Sequence, residues 1–337
     1  MKRLLWILAV SAVLLVGGCS KEKPSPENDG AISLVPVMDK DDVLTRGTLY
    51  QNDSDLQADI FHTYAYLGGT TDTFFDSDVR YSTVESRWRF HQESGYLDYY
   101  WPIEHSLDFF AFAPSDCGYV TVDNQTNPPT FTAEMPLTNT GITDVHQEDM
   151  KEFMYAYTSG KDKSAGPVTL AFNHPFSAII FKVSQSHTGL TVNSITVGGI
   201  AYAGTCSFEN NTPEVPVWNL ENVTGDMTLT VGKTIPADVD FGEELCGPYL
   251  VLPQTNATVN KTVTIEFTWH GVNTNQSWNK VDGKEDTYTI SGSISNDWTA
   301  GKIYTYSLDL GSSAGDVVLD VSVTDWKYVY EHVFEIE

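Results

Sequence analysis

The sequence is short of positive charge. Its 337 residues include 19 lysines and arginines against 45 aspartates and glutamates, which gives a formal net charge of −26. Nowhere do basic residues gather into a patch of the kind that attracts nucleic acid or an anionic membrane surface. We therefore expect neither of these partners, and the acidity itself is typical of a protein that stays soluble outside the cell.

Helical periodicity is also missing beyond the N-terminus. Instead the chain is rich in Tyr, Phe, Trp, Thr and Val, and short apolar runs are separated by Gly, Asn and Asp. Ile60–Leu67 and Leu107–Ala113 are two such runs, each of strand length. The sequence predicts an all-β protein, and its length allows two domains with cores of their own.

Motifs for catalysis and for cofactors are absent as well. The sequence has no HExxH, GxSxG, phosphate-binding loop or dinucleotide-binding pattern, and its acidic runs lack the ligand order of an EF-hand. His174 lies beside a proline in an apolar segment, which favours a structural histidine bonded to the backbone over a catalytic base. We predict no catalytic residue, no metal site and no cofactor, and hence no enzyme.

Cysteine is scarce, and the four cysteines show no CxxC spacing of a metal site. Beyond Cys19 the chain has Cys117, Cys206 and Cys246, and an odd number leaves at least one thiol free. Cys206 and Cys246 fall in the same half of the chain and could form a disulfide, but their spacing does not require one.

The N-terminus carries the pattern of an export signal. Two basic residues precede the apolar run Leu4–Val16, which is too short to span a bilayer comfortably. The small residues of Val16–Cys19 resemble the lipobox of a bacterial lipoprotein, which predicts acylation of Cys19 and durable membrane anchoring. The alternative is an ordinary signal peptide with a chance cysteine. The polar, Pro-containing run Ser20–Gly30 is typical of a flexible tether.

A polar run at mid-sequence, Thr158–Gly166, predicts a boundary between two domains. After it, Val168, Leu170 and Phe172 alternate with other residues at the period of a strand. Ala178–Val183 follows as an apolar run, typical of a strand covered on both faces. The predicted units are a signal peptide over 1–19, a tether with a removable strand over 20–46, and β-sandwiches over 47–164 and 165–337.

Aromatic residues are dense in the first half of the chain. Because aromatic side chains bury large areas, we interpret this density as core packing. A core role predicts burial of Trp101, Phe110 and Phe112, and likewise of Phe172 and Ile180 further on. The alternative is a sugar-stacking platform formed by the aromatic residues around Trp88 and Trp101.

The two ends of the chain both carry apolar strand faces. Near the start, Ile32, Leu34 and Met38 share one face of a short strand. Near the end, one face is formed by Trp326, Tyr328, Tyr330, Phe334 and Ile336. Because chain ends fray unless they are tied down, this much apolar surface needs a partner, and the two faces are candidates for mutual replacement. The alternative is that the tail is simply the last strand of the second sandwich.

Seven segments, taken together and in this order, resemble the fimbrillin-like proteins of Bacteroidetes, the subunits of type V pili. They span nearly the whole chain. The segments are Val16–Cys19, Tyr100–Pro102 with Leu107–Pro114, Asp149–Ala156, Val168–Val183, Gly247–Gln254, Trp298–Tyr306 and Val321–Trp326.

The resemblance implies two tandem transthyretin-like β-sandwiches of Greek-key topology. It also implies a surface-exposed lipoprotein of the outer membrane, cut by an arginine-specific protease between Arg46 and Gly47. The expected partners are other fimbrial subunits in a homo- or heteropolymer, together with a host or bacterial surface ligand if the chain is a tip adhesin. A surface lipoprotein that binds glycans is the alternative function.

Overall fold

The structure is a computed structural model that describes residues 30–38, 50, 53–136, 151–183, 190–208, 216–235, 243–257, 259–270, 278–309 and 318–325. Within these ranges nearly all regular structure is β, which confirms the predicted fold class. A short helix, α1 (Asp53–Gln57), and a 3-10 turn at Lys163–Ala165 are the helical elements of the described residues.

The strands of the first half are β1 (Leu34–Val37), β2 (Ile60–Leu67), β3 (Thr73–Ser82), β4 (Arg87–Gln92), β5 (Gly95–Leu97), β6 (Leu107–Ala113), β7 (Val120–Asp123), β8 (Thr130–Glu134), β9 (Met154–Lys161) and β10 (Val168–Ala171). Those of the second half are β11 (Ser177–Val183), β12 (Leu190–Ala201), β13 (Ala203–Phe208), β14 (Pro216–Leu220), β15 (Thr224–Thr234), β16 (Glu243–Val251), β17 (Thr262–Trp269), β18 (Asn279–Lys280), β19 (Thr287–Ser293), β20 (Lys302–Asp309) and β21 (Val318–Asp325).

These strands form five sheets. Six antiparallel strands lie in the order β5-β4-β3-β2-β6-β9, and β1 pairs with β10 in a two-stranded parallel sheet. A five-stranded sheet (β15-β12-β17-β19-β18) and a four-stranded sheet (β16-β11-β20-β21) come from the second half. The remaining sheet, β14-β13-β8-β7, joins strands from both halves of the chain.

The apolar side chains pack in two core clusters. The first core cluster consists of Ile32, Leu34, Met38, Tyr50, Leu56, Phe61, Ala65, Phe75, Val79, Phe90, Leu107, Phe109, Ala111, Ala113, Met154, Ala156, Val168, Leu170 and Phe172. The second, larger core cluster includes Tyr66, Phe110, Phe131, Tyr155, Phe181, Ile195, Met227, Leu250, Ile265, Ile290 and Tyr306. All seven residues of β6 are buried, because alternate side chains of that strand enter the two clusters.

Two details of the predicted organisation are corrected. Residues 158–161, predicted as part of a loop, form the end of β9. The strand predicted to open the second domain, β10, pairs with β1, and its apolar side chains lie in the first core cluster. Alternation shows that one face of a strand is buried but cannot show which sheet receives it. The division into 47–164 and 165–337 stays a prediction.

Four of the five residues predicted to be buried are so: Phe110, Phe112, Phe172 and Ile180. Trp101 was wrongly included, because it is only half-buried and packs on the margin of the first core cluster. Its ring centroid lies 5.9 Å from that of Phe109. The physical reason is that Trp101 follows β5 in an extended segment beside β1 and not in a central strand.

Candidate strand-exchange site

The segment around β1 is seated in the first core cluster by alternate side chains. Ile32, Leu34 and Met38 are 5%, 4% and 6% exposed, whereas Val35 between them is 42% exposed. The predicted apolar face is therefore buried, as expected for a strand with one side toward a core. A short segment this fully enclosed contributes to the core as an internal strand would.

Backbone hydrogen bonds hold this segment on both of its sides. On one side, Ile32 N donates to Tyr99 O at 2.8 Å, and Trp101 N donates to Gly30 O at 3.1 Å. On the other side β10 runs parallel to it, with Val168 N donating to Ser33 O at 2.8 Å. Removal of this segment would therefore leave backbone groups without partners on both sides of it and would expose the apolar side chains beneath it.

The floor of this seat is formed by β10 and the six-stranded sheet. Val168, Leu170 and Phe172 are each 1% exposed or less. The ring of Phe172 meets that of Phe61 edge-on, with centroids 5.7 Å apart. These side chains and those of β2 and β6 lie together in the first core cluster, so the floor is apolar.

Tyr50 pins the chain to the core just after the predicted processing site. Its backbone N donates to Glu152 Oε2 at 2.7 Å, and its hydroxyl donates to Asp59 Oδ2 at 2.6 Å. Glu152 is 1% exposed, and its second oxygen is hydrogen-bonded to His174 Nδ1. One buried carboxylate thus joins Tyr50 to the chain before β9 and to the chain after β10.

The pKa values around Tyr50 agree with this arrangement. Burial, with help from the neighbouring Asp59 carboxylate, raises the pKa of Tyr50, so the hydroxyl keeps its proton and donates it. Burial opposes the charge on Asp59, but hydrogen bonds from Tyr50, Ile60 N and Lys151 together lower its pKa. Lys151 Nζ lies 3.1 Å from Asp59 and 3.0 Å from Asp116, so the carboxylates here are paired with a cation.

At the opposite end of the described chain, β21 is an edge strand within the sheets that the structure describes. It pairs with β20, the neighbour it has among the described strands. Val321 packs against the second core cluster, whereas Val323 is 49% exposed. An ion pair between Lys302 Nζ and Asp325 closes the end of this hairpin. An edge of this kind presents backbone groups that can pair with another strand.

Two segments that carried the family resemblance have structural roles in the sheet β16-β11-β20-β21 and directly before its strand β20. Trp298 is 2% exposed, and its Nε1 donates to the hydroxyl of Tyr306 at 2.8 Å. Tyr304 accepts from Thr299 N at 2.9 Å. At Gly247 the backbone has a φ of 117°, and a Cβ there would lie 2.8 Å from Ile179 O, so the bulge between β11 and β16 requires glycine.

The predicted site residues divide into two groups. Ile32, Leu34 and Met38 lie together in the first core cluster. Outside the described residues lie Cys19, Arg46, Gly47, Trp326, Tyr328, Tyr330, Phe334 and Ile336. The sequence reasoning missed Tyr50 and Glu152. A signal existed for Glu152, because it is a carboxylate directly before the apolar run Phe153–Ala156.

The surroundings of His174 and of the three described cysteines add to what the sequence predicted. His174 Nδ1 is hydrogen-bonded to the buried carboxylate of Glu152, a partner that the sequence did not indicate. Cys117, Cys206 and Cys246 are all free, so the disulfide that the sequence left open is not formed. Burial raises the pKa of each of these thiols, to about 11 for Cys117, which makes them poor nucleophiles.

The two tryptophans of the glycan-platform alternative are both engaged in packing. The Trp88 ring lies 5.1 Å from that of Phe61 and 5.4 Å from that of Tyr81. Trp101 contacts Phe109, and both tryptophans pack against the first core cluster. In the part of the chain that is described, no group of three or more His, Cys, Asp or Glu residues is arranged to hold a metal ion.

The comparisons with known proteins agree with this fold. A family model described as fimbrillin-like matches residues 45–326. A fimbrial protein from Bacteroides vulgatus is similar, with 16% sequence identity, a TM-score of 0.55, and coverage of 88% of this chain and 100% of that one. A candidate cell adhesion protein from Bacteroides ovatus is also similar, with 14% identity, a TM-score of 0.51, and coverage of 89% and 98%.

No curated protein matches this chain. Among the residues that the structure describes, no helix is long and apolar enough to cross a bilayer.

Proposed function

The chain belongs to the fimbrillin-like family, and we propose that it is a structural or tip subunit of a cell-surface fimbria. In this proposal the chain is exported as a lipoprotein, acylated on Cys19 and displayed on the outer membrane. Cleavage between Arg46 and Gly47 then frees the segment that contains β1. The vacated groove accepts a strand from a neighbouring subunit, so the partners are other fimbrial subunits of the same or a different kind.

The seat of β1 is the observation that carries this proposal. Burial of an aliphatic side chain is worth about 1.5–3 kcal/mol, and β1 and its flanks bury three. An empty groove would expose these positions together with unpaired backbone groups of β10. A strand from another subunit satisfies both needs by β-augmentation, with alternate side chains in the pockets. Such a head-to-tail contact need not close on itself, so it can build a filament.

The processing site and the anchor of Tyr50 fit one another. Arg46 precedes Tyr50 by a few residues, and Tyr50 is bonded to Glu152 and Asp59 independently of β1. Cleavage would therefore leave the new N-terminus attached to the core while β1 departs. The donor strand in this proposal is the segment from residue 317 to Glu337, whose last twelve residues carry the alternating apolar face predicted from the sequence.

Light scattering after cleavage tests the assembly. The purified chain is treated with an arginine-specific protease, alongside a variant that ends at Asp325 and an Arg46→Ala variant. We expect the cleaved full-length chain to grow into polymers while both variants stay small. If the cleaved full-length chain stays monomeric at high concentration, the chain does not polymerise in this way, and a tip or anchor role becomes the better assignment.

A separate experiment tests the lipid anchor. Cys19→Ala removes the thiol that would carry the acyl chain, so we expect a fatty-acid probe to label the parent chain only, and the signal peptide of the variant to stay uncleaved. A variant that is still labelled and processed like the parent would contradict lipidation at Cys19 and leave the strand-exchange proposal untouched.

A further inference from the structure

A cleft of about 800 Å³ lies beside β14, far along the chain from β1. Its floor contains Trp218, Leu220, Pro253 and Trp298. The Trp218 ring is held by packing against Phe131 and Phe176, and its Nε1 donates to Pro175 O at 2.8 Å. The volume is that of a ligand site, and the aromatic floor is fixed in place.

The cleft runs along β14, which is an edge strand of its sheet among the described strands. All five residues of β14 line it, although alternate side chains point to opposite faces, so the shared wall is the backbone edge. Glu221 N donates to Ala203 O on β13. By the alternation of an antiparallel pair, the amides of Trp218 and Leu220 then point away from β13 and toward the cleft. The arrangement suits an extended polypeptide better than a compact small molecule.

The strand β21 ends close to residues that line this cleft. Asp325, the last residue of β21, pairs with Lys302 in register and through an ion pair. Residues 298–300, just before Lys302, form the far wall of the cleft. Twelve residues follow Asp325, and at about 3.3 Å per residue they reach roughly 40 Å, more than twice the length of the β14 edge.

The composition of the tail fits the cleft. Its even-numbered positions from 326 to 336 are apolar or aromatic apart from His332, which suits an aromatic floor. Its odd-numbered positions include Lys327 and Glu331, which would face solvent. Among the described residues that line the cleft, Glu221 is the ionisable one. The match between the cleft and the tail therefore rests on apolar contact and not on charge attraction.

We propose that, in the unassembled subunit, residues 326–337 lie along β14 of their own chain as an additional strand. The apolar face of the tail covers Trp218 and Leu220 until a neighbouring subunit takes the tail. Only this last step rests on the proposed function, because docking in the same chain needs no cleavage and no partner.

Hydrogen exchange on the unprocessed full chain tests the docking. We expect the amides of Trp218 and Leu220 to exchange at least about tenfold more slowly in the full chain than in a variant that ends at Asp325. A Tyr328→Asp, Tyr330→Asp double variant should exchange as the shortened chain does. Lys327→Asp, on the opposite face of the tail, is the matched control and should exchange as the parent does. Unchanged exchange of the β6 amides shows that each variant is folded.

The concentration dependence identifies the occupant. Protection that persists on dilution supports docking within one chain. Protection that disappears on dilution assigns the cleft to the tail of a second copy and overturns the proposal, as does equal exchange in the full and shortened chains. Neither result bears on whether the chain polymerises after cleavage at Arg46. A failure of the docking proposal is therefore distinct from a failure of the proposed function.

Discussion

The two ends of the chain are both strands, yet the protein holds them in opposite ways. The segment of β1 has backbone partners on both sides and buries three apolar side chains in the first core cluster. In contrast, β21 has β20 on one side, and Val323 is 49% exposed. One end fills a place that the core requires, and the other presents an edge that can accept or become a partner.

This difference separates two requirements of strand exchange. A groove has to be costly to leave empty, which the buried floor beneath β1 provides. A donor has to be cheap to move, which suits a strand that has one neighbour among the described strands. Substitutions at the two ends therefore test whether they are held with different strength. The expected losses of stability decrease from the groove floor to the donor edge.

The largest effect is expected in the groove floor. Phe172→Ala removes a ring that is 1% exposed and packs on Phe61, so the free energy of unfolding should fall by about 3–5 kcal/mol. Urea denaturation followed by tryptophan fluorescence measures it. Phe74→Ala is the control, because Phe74 is 38% exposed and its loss should change stability little. Equal effects of the two substitutions would contradict the buried floor.

The next effect is expected in β1 itself. Leu34→Ala should lower the free energy of unfolding by about 2–5 kcal/mol, because the side chain is enclosed by the first core cluster. Val35→Ala in the same strand points outward and should stay within about 0.5 kcal/mol. After cleavage at Arg46 this gap should vanish if β1 has left the groove. A gap that persists would mean that the cut segment remains bound.

A smaller effect is expected at the buried carboxylate that anchors Tyr50. Glu152→Gln keeps the shape but replaces one acceptor oxygen by an NH₂ group, which can accept neither from Tyr50 N nor from a proton on His174 Nδ1. A buried donor without an acceptor costs about 1–3 kcal/mol in the free energy of unfolding. Glu85→Gln on the surface is the control. If Glu152→Gln is as stable as the parent, the anchor of the new N-terminus contributes little.

The two halves should also differ in their response to pH. The lowered pKa of Asp59 stabilises the region of Tyr50 above the ordinary value of 3.8, and this contribution is lost as pH falls through the lowered value. Burial lowers the pKa of Lys261, beneath the Trp298 ring, to about 8 from 10.5. Between about pH 8 and pH 10.5, Lys261 binds a proton in the unfolded chain but not in the folded one. The free energy of unfolding therefore rises with pH across that window.

The free energy of unfolding, measured from pH 7 to pH 11 and again at acid pH, checks both parts of this prediction. Lys261→Met should flatten the increase of this free energy at alkaline pH. Asp59→Asn should flatten its decrease at acid pH and leave the alkaline increase unchanged. An unchanged alkaline slope in Lys261→Met would assign the rise to other groups.

The sequence predicts each strand better than the partner of that strand. Period-2 alternation correctly predicted the buried face of Ile32, Leu34 and Met38 and the strand at Ile60–Leu67, because a single strand decides which side chains share a face. It misplaced β10, whose partner β1 is distant in the chain. The bond between Glu152 and His174 was missed for the same reason, since both residues look ordinary until the fold brings them together.

The smallest effect is expected at the donor edge. Asp325→Asn removes the ion pair with Lys302, whose two side chains are 32% and 37% exposed. Water and salt screen such a pair, so the free energy of unfolding should fall by about 0–1 kcal/mol, and by less at high salt. A loss well above this range, insensitive to salt, would mean that the end of β21 is held as firmly as β1. A strand held that firmly could not move cheaply to a neighbouring subunit, and the contrast between the two ends would be lost.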